Sequence, residues 1–132
     1  MADNPYLNYS GTANAQTTTN AYADVKLSSA ASAKALQWAL EGKQKGTIAV
    51  RNSGANAIHF QVVGSLDNGK TFPVLVSAAD VAVAAGATVG FNWAATGASG
   101  AAFGVYTHLK VQVKAAVGGS QGAANVQGAF TT

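Results

Sequence analysis

A hydrolase working on a glycosidic link needs two carboxylates held at a set separation, and this sequence has few to offer. Its five acids are Asp3, Asp24, Glu41, Asp67 and Asp80. Asp3 lies in a polar start, Asp24 beside an expected edge strand, and Asp67 in a turn that uses its oxygens. Glu41 and Asp80 would have to converge from distant parts of the chain. The two imidazoles are His59 and His108. His59 alternates with Ile58 and Phe60, and His108 stands beside Leu109, so each is expected to point outward, toward solvent or a subunit contact. Two imidazoles without an evident third ligand are a poor zinc set, and no metal is expected. The absence of cysteine excludes a disulfide, a thiolate metal site and a cysteine nucleophile. Gly97-Ala98-Ser99-Gly100 lacks the Gly-x-Ser-x-Gly spacing of a serine elbow, and no phosphate loop or dinucleotide fingerprint follows a strand. The residues predict no cofactor and no enzyme.

The composition narrows the partners. Only 10% of the 132 residues are charged, against about 25% in ordinary domains. The surface must therefore rest on Asn, Gln, Ser and Thr. The net charge is +3, and its densest group is Lys43-Gln44-Lys45 with Arg51 nearby. Nucleic-acid binders concentrate basic groups among stacking aromatics; here they are spread, so no nucleic-acid partner is expected. No run approaches the roughly 20 apolar residues of a membrane helix, so no membrane partner is expected either. The start, Met1-Ala2-Asp3-Asn4-Pro5, has neither the basic region nor the apolar run of a secretory leader. This, with the missing thiols, fits synthesis in a reducing cytoplasm.

The elements that must position these residues read as strands. The 15 glycines punctuate short runs rich in Val, Ile, Thr and aromatics. Residues 1–20 are polar and form an expected extended N-terminal arm. Within it Tyr6, Leu7 and Tyr9 are the groups able to anchor on a partner. Residues 21–132 form one domain. Ala21–Leu27 reads as a first strand with a slip. Ser28–Gly42 has helical spacing at Ser32, Ala33, Leu36, Ala39 and Leu40, yet Leu36, Trp38 and Leu40 also alternate. We read it as strand, with helix the open alternative. Strands are then expected at Thr47–Asn52, Ala57–Gly64, Phe72–Val76, Val81–Val83, Thr88–Trp93, Val105–Ala115 and Asn125–Phe130. A long loop spans Ala94–Gly104. The class is all-β: an antiparallel sandwich, jelly-roll or Ig-like, of about seven to nine strands. Trp38 and Trp93 carry the largest burial, Trp38 in the core and Trp93 at the border of the loop.

Ser65-Leu66-Asp67-Asn68-Gly69-Lys70-Thr71-Phe72 resembles the Asp-box of sialidase-type propellers, Ser-x-Asp-x-Gly-x-Thr followed by an aromatic. Ser65, Asp67, Gly69, Thr71 and Phe72 are its members. The chemistry is local: the carboxylate caps the amides of its own turn, Gly takes positive φ, Thr bonds back, and the aromatic returns to the core. Propellers repeat the box and use it structurally. A single copy here implies a stable hairpin and not a glycosidase.

The chain as a whole resembles small β-sandwich virion proteins of tailed bacteriophages, of the capsid decoration or head and tail accessory type. The likeness is carried by the Asn/Thr/Ala start, by Gly46-Thr47-Ile48-Ala49-Val50-Arg51-Asn52-Ser53-Gly54, and by the Gly64–Phe72 hairpin. Val83-Ala84-Ala85-Gly86-Ala87-Thr88-Val89 fits the same style. The resemblance implies a non-enzymatic decoration (cement) protein in the virion, made in the host cytoplasm. Its partners would be the major capsid protein or other virion proteins, and copies of itself, a trimer being favoured. The alternative is a tail or fibre module binding host surface glycan through Trp93, Tyr106 and the Ala94–Gly104 loop.

Overall fold

A computed structural model describes residues 7–13, 21–25, 35–41, 43, 45–93, 106–118 and 122–131. Among them are the strands β1 (Leu7–Ala13), β2 (Ala23–Asp24), β3 (Gln37–Ala39), β4 (Lys45–Asn52) and β5 (Ile58–Ser65). The chain continues with β6 (Val74–Leu75), β7 (Val81–Val83), β8 (Thr88–Trp93), β9 (His108–Ala115) and β10 (Ala124–Thr131). One sheet has the order β1-β10-β4-β8. The other runs β2-β9-β5-β6, with β3 also on β9 and β7 also on β5. Every pairing is antiparallel. Because β2 and β3 share one neighbour and β6 and β7 another, ten strands fill eight positions. Their order is that of a jelly roll.

Alternation sets the inner faces. Ile58, Phe60 and Val62 of β5 and Leu109, Val111 and Val113 of β9 point inward, opposite Ile48 and Val50 of β4 and Val126 and Phe130 of β10. Leu36, Trp38 and Leu40 are all buried, so the ambiguous segment is a strand where it is described, over Gln37–Ala39. Alternation won there because three large side chains on one face bury more area than a helix turned the other way would. Residues 28–34, the earlier part of that segment, lie outside the described residues, as do residues 26–27 of the first expected strand and the Ala94–Gly104 loop.

Trp38 spans the gap between the sheets. Its ring lies 5.3 Å from Phe130, tilted by 53°. A Cβ on Gly128 would come within 2.7 Å of the indole, so glycine is required on β10 for that approach. The indole Nε1 is buried and has no acceptor among the described residues, contrary to the usual rule for buried tryptophan.

Asn52 ties the end of the sandwich. It is fully buried, and its amide donates to the carbonyls of Asn56 and Val83 while its Oδ1 accepts from the amides of Gly54 and Ala123. Three loops close on this one side chain.

Several elements differ from the sequence reading: the strand expected from Val105 begins at His108, and the first expected strand is one only at Ala23–Asp24 among its described residues. Leu7–Ala13, read as part of an arm, pairs with β10 of its own chain over seven residues, from Leu7–Phe130 to Ala13–Ala124. Polar residues bury too little to hold themselves, but an edge strand takes its ladder from a neighbour that is already ordered. The Phe72–Val76 strand shortens to Val74–Leu75, as Pro73 cannot donate to the ladder.

Candidate functional site

The Ser65–Phe72 turn is a closed hydrogen-bond circuit. Ser65 is fully buried; its Oγ donates to Asp67 Oδ1 at 2.7 Å and accepts from the amides of Asp67 at 3.2 Å and Gly69 at 2.9 Å. Asp67 in turn accepts from the Thr71 amide at 2.9 Å and from Thr71 Oγ1 at 2.6 Å. Thr107 Oγ1 takes the Asn68 amide at 3.0 Å and donates to the Ser65 carbonyl at 3.2 Å, tying the turn to the start of β9. Asn68 and Gly69 have φ of 61° and 85°, the left-handed conformation that glycine adopts freely. The Thr71 and Ser65 hydrogen bonds hold the Asp67 carboxyl well below the usual carboxylate range. An acid so saturated is a poor proton carrier at neutral pH.

Phe72 departs from the expectation that it enters the core. It is half-buried on the outside of the six-stranded sheet, where the Lys110 ammonium sits 4.3 Å from its ring centre. The strand that would have carried it inward is cut short by Pro73.

That outer face carries two ion pairs. Lys110 pairs with Asp24 at 3.0 Å, and Gln112 donates to the same carboxylate at 3.0 Å. Gln61 donates to Gln112 at 2.9 Å, continuing the row across β5. Further along, Asp80 meets Lys114 at 3.0 Å and accepts from Tyr22 Oη at 2.6 Å, while its own amide donates back to that hydroxyl at 3.0 Å. Lys114 also lies 4.7 Å from the Tyr22 ring centre. The Asp80 carboxyl is held below its ordinary value by the Tyr22 hydroxyl and by Lys114. The Tyr22 hydroxyl is pushed up to about 12 by burial and by its bond to Asp80.

Sequence reasoning missed these clusters because their members are far apart in the chain, 58 residues for Tyr22 and Asp80 and 86 for Asp24 and Lys110. The one available signal was the alternation of Lys110, Gln112 and Lys114, which places all three on one side of β9.

The other predicted chemistry stays dispersed. Glu41 reaches Lys43 at 3.9 Å and joins no other acid among the described residues. His59 and His108 are half-buried instead of fully outward, each with a buried Nδ1 that has no partner among the described residues. Among the described residues no three His, Asp or Glu side chains converge as metal ligands do. A depression of about 270 Å³ between Gly54–Asn56 and Gly122–Ala123 has no titratable group in its lining.

Of the residues expected to contact partners, Tyr6 lies outside the described residues. Leu7 and Tyr9 stand in register with Phe130 and Gly128, and Trp93 in register with Gly46. Tyr106 is half-buried, packed on the core beside Gly64.

The outer face of the four-stranded sheet is of another kind. Its described side chains on β4, β10 and β8 are Thr47, Ala49, Arg51, Asn125, Gln127, Ala129, Thr88 and Asn92, with Gly90 among them. Arg51 alone is charged among these. Thr47 donates to Asn92 at 2.7 Å.

No protein-family model matches the chain, and no curated protein does. Solved structures resemble it in shape. A protein of the disulfide-linked pili of Bacillus endospore appendages is 12% identical, with a TM-score of 0.42, over 96% of this chain and 84% of that one. The coat protein of Tobacco streak virus is 6% identical, with a TM-score of 0.43, over 100% and 89%. Protein YomS of the SPBc2 prophage is 11% identical, with a TM-score of 0.41, over 100% and 99%. Likenesses this distant accompany the all-β fold and carry no weight on activity. Among the described residues no helix is long and apolar enough to cross a membrane.

Proposed function

We propose that this chain is a non-enzymatic structural protein of a bacteriophage virion, a decoration protein that binds the assembled shell of the major capsid protein and stabilises it. The observation that carries the reading is the use made of the acids. Asp24, Asp67 and Asp80, the described acids other than Glu41, each spend their oxygens on two or more side-chain partners that lock strands or a turn together. Chemistry invested in this way supports a scaffold role over turnover. The low charge and the Thr/Asn/Gln face of the four-stranded sheet suit broad hydrogen-bonded contact with other virion proteins. The sequence resemblance supplies the phage and the capsid. The N-terminal residues 1–20 belong to the same proposal as a contact with neighbouring subunits, with Tyr6, Leu7 and Tyr9 as its anchors. Homo-oligomers, trimers by that resemblance, would present several such contacts at once.

Purification of particles tests it. The chain is expected to sediment with intact heads at a copy number equal to a class of capsid-lattice sites, and heads lacking it are expected to disrupt at lower temperature. Recovery of the chain with tails, or glycan binding lost in Trp93→Ala, would transfer the role to a tail or adhesion module.

A further inference from the structure

Asn68 is the one asparagine of the sequence that precedes a glycine. Such a pair suits a turn because both residues enter the left-handed region at little cost, and here φ is 61° and 85°. It also leaves the carboxamide and the next backbone nitrogen unshielded from each other, since glycine has no side chain to stand between them. Asn68 is exposed, and its carboxamide has no hydrogen-bond partner among the described residues; only its backbone amide is held, by Thr107 Oγ1 at 3.0 Å. Asn52, which precedes Ser53, is the opposite case: it is buried, and its carboxamide donates to two carbonyls. The Gly69 nitrogen is engaged. It donates to Ser65 Oγ at 2.9 Å, and Ser65 Oγ in turn donates to Asp67 Oδ1. A Cβ built on Gly69 would lie 2.9 Å from Gln37 Oε1 and 3.4 Å from the His108 ring, so the residue is boxed on that side as well.

We infer that Asn68 is the deamidation site of this chain, and that the Ser65 hydroxyl restrains it by holding the proton of the attacking nitrogen. The reaction needs only water. The Gly69 nitrogen gives up its proton and bonds to Asn68 Cγ. The Cγ–Nδ2 bond breaks, and the side-chain nitrogen leaves as ammonia, carrying that proton. Water then opens the resulting five-membered succinimide. Cleavage of the bond from the Gly69 nitrogen to Cγ gives aspartate; cleavage of its bond to the Asn68 backbone carbonyl gives isoaspartate, whose main chain runs through the former side chain. Ring closure requires the Gly69 N–H proton to depart, so the 2.9 Å bond to Ser65 must break first. Asp67 does not draw the proton onward, because Thr71 also occupies its oxygens. The turn thus presents the carboxamide and withholds the nitrogen. Isoaspartate adds one carbon to the main chain between positions 68 and 69, inside the circuit that joins Ser65 to Thr71 and the turn to Thr107, and the circuit no longer closes at the same lengths. The inference goes beyond the virion reading and stands without it, because it concerns the turn alone.

Peptide mapping by mass spectrometry, on the full chain incubated in mildly alkaline buffer, tests it. Denatured in urea, the chain is expected to convert Asn68 to aspartate and isoaspartate faster than any other asparagine. In the folded chain that conversion is expected to slow roughly tenfold or more. Ser65→Ala releases the Gly69 N–H and is expected to restore roughly three- to tenfold of the rate with an unchanged circular dichroism spectrum. Thr107→Ala removes the bond to the Asn68 amide and leaves that of Gly69, so a smaller acceleration is expected. Amide exchange needs no variant: the Gly69 hydrogen of the wild-type chain is expected to exchange more slowly than that of Lys70. Conversion in the fold as fast as in urea overturns the inference, as does faster conversion at another asparagine in urea. Equal acceleration by Thr107→Ala and Ser65→Ala, or Gly69 exchange as fast as that of Lys70, would overturn the part given to Ser65.

Discussion

The outer faces of the two sheets show one backbone architecture carrying opposite surfaces. On the six-stranded sheet, Tyr22, Asp24, Phe72, Asp80, Lys110 and Lys114 cross-link one another through ion pairs, hydrogen bonds and cation–ring contacts. That face binds its own short edge strands in place. On the four-stranded sheet, the described positions are small and neutral apart from Arg51. Its ladders are long and continuous, eight residues for β10 on β4 and seven for β1 on β10. Where strands are long, the backbone holds the sheet and side chains are free to be bland. Where they are two or three residues long, side chains must supply the attachment.

The largest effect separating these regions comes from the residue that joins them. Trp38→Ala is expected to cost about 3–5 kcal/mol in denaturant unfolding, as it opens a cavity against Phe130 and Gly128. Next comes Asn52→Ala, which leaves the Gly54 and Ala123 amides without an acceptor. About 2–4 kcal/mol is expected, with faster amide exchange at those loops. Lys110→Met removes a partly buried pair with Asp24 and is expected to cost about 1–2 kcal/mol, read in the same melts. Arg51→Ala on the bland face is expected to stay within about 0.5 kcal/mol. If it costs as much as Lys110→Met, the contrast between the faces fails.

Proton linkage sharpens the same contrast without a large amplitude. The Asp67 and Asp80 carboxyls titrate below their ordinary values, so in acid the unfolded chain binds protons that the native chain does not. Their contribution is fully present above the unfolded value near 3.9 and is lost as pH falls through the lower native values. Tyr22 works at the other end. Its hydroxyl titrates at about 12 in the fold, so its contribution is present below the unfolded value of about 10 and is lost as pH rises through 12. Melts of Asp80→Asn across both ranges are expected to flatten the acid slope and to change the alkaline slope less, since burial is the larger cause of the raised Tyr22 value. A flattening confined to the acid side would separate the two groups.

Much of the fold was legible in the residues. β4, β9 and β10 alternate along their described length, and β5 does so over residues 58–62, as side chains on a pleated strand must when one face is buried. The Ser65–Phe72 turn is local chemistry, complete within eight residues, so its members could be named without a fold. β1 was not legible as a strand of the chain's own sheet, because nothing in Leu7–Ala13 except its partner β10 makes it one. Phe72 does not enter the core because Pro73 cuts its strand short, and the Lys110 ammonium that meets its ring comes from β9.

The sequence by itself determined the class of the fold, the inward faces of the long strands and the poverty of groups able to exchange protons. Those follow from residue type and spacing of two along the chain, which act over a few ångströms. Only the tertiary structure decided that Tyr22 and Asp24 are held by Asp80, Lys110 and Lys114, that three loops close on Asn52, and that the outer face of one sheet is locked by ion pairs. Such pairings join residues separated by up to 88 positions, and a chain brings them together only once the sheets that carry them have formed.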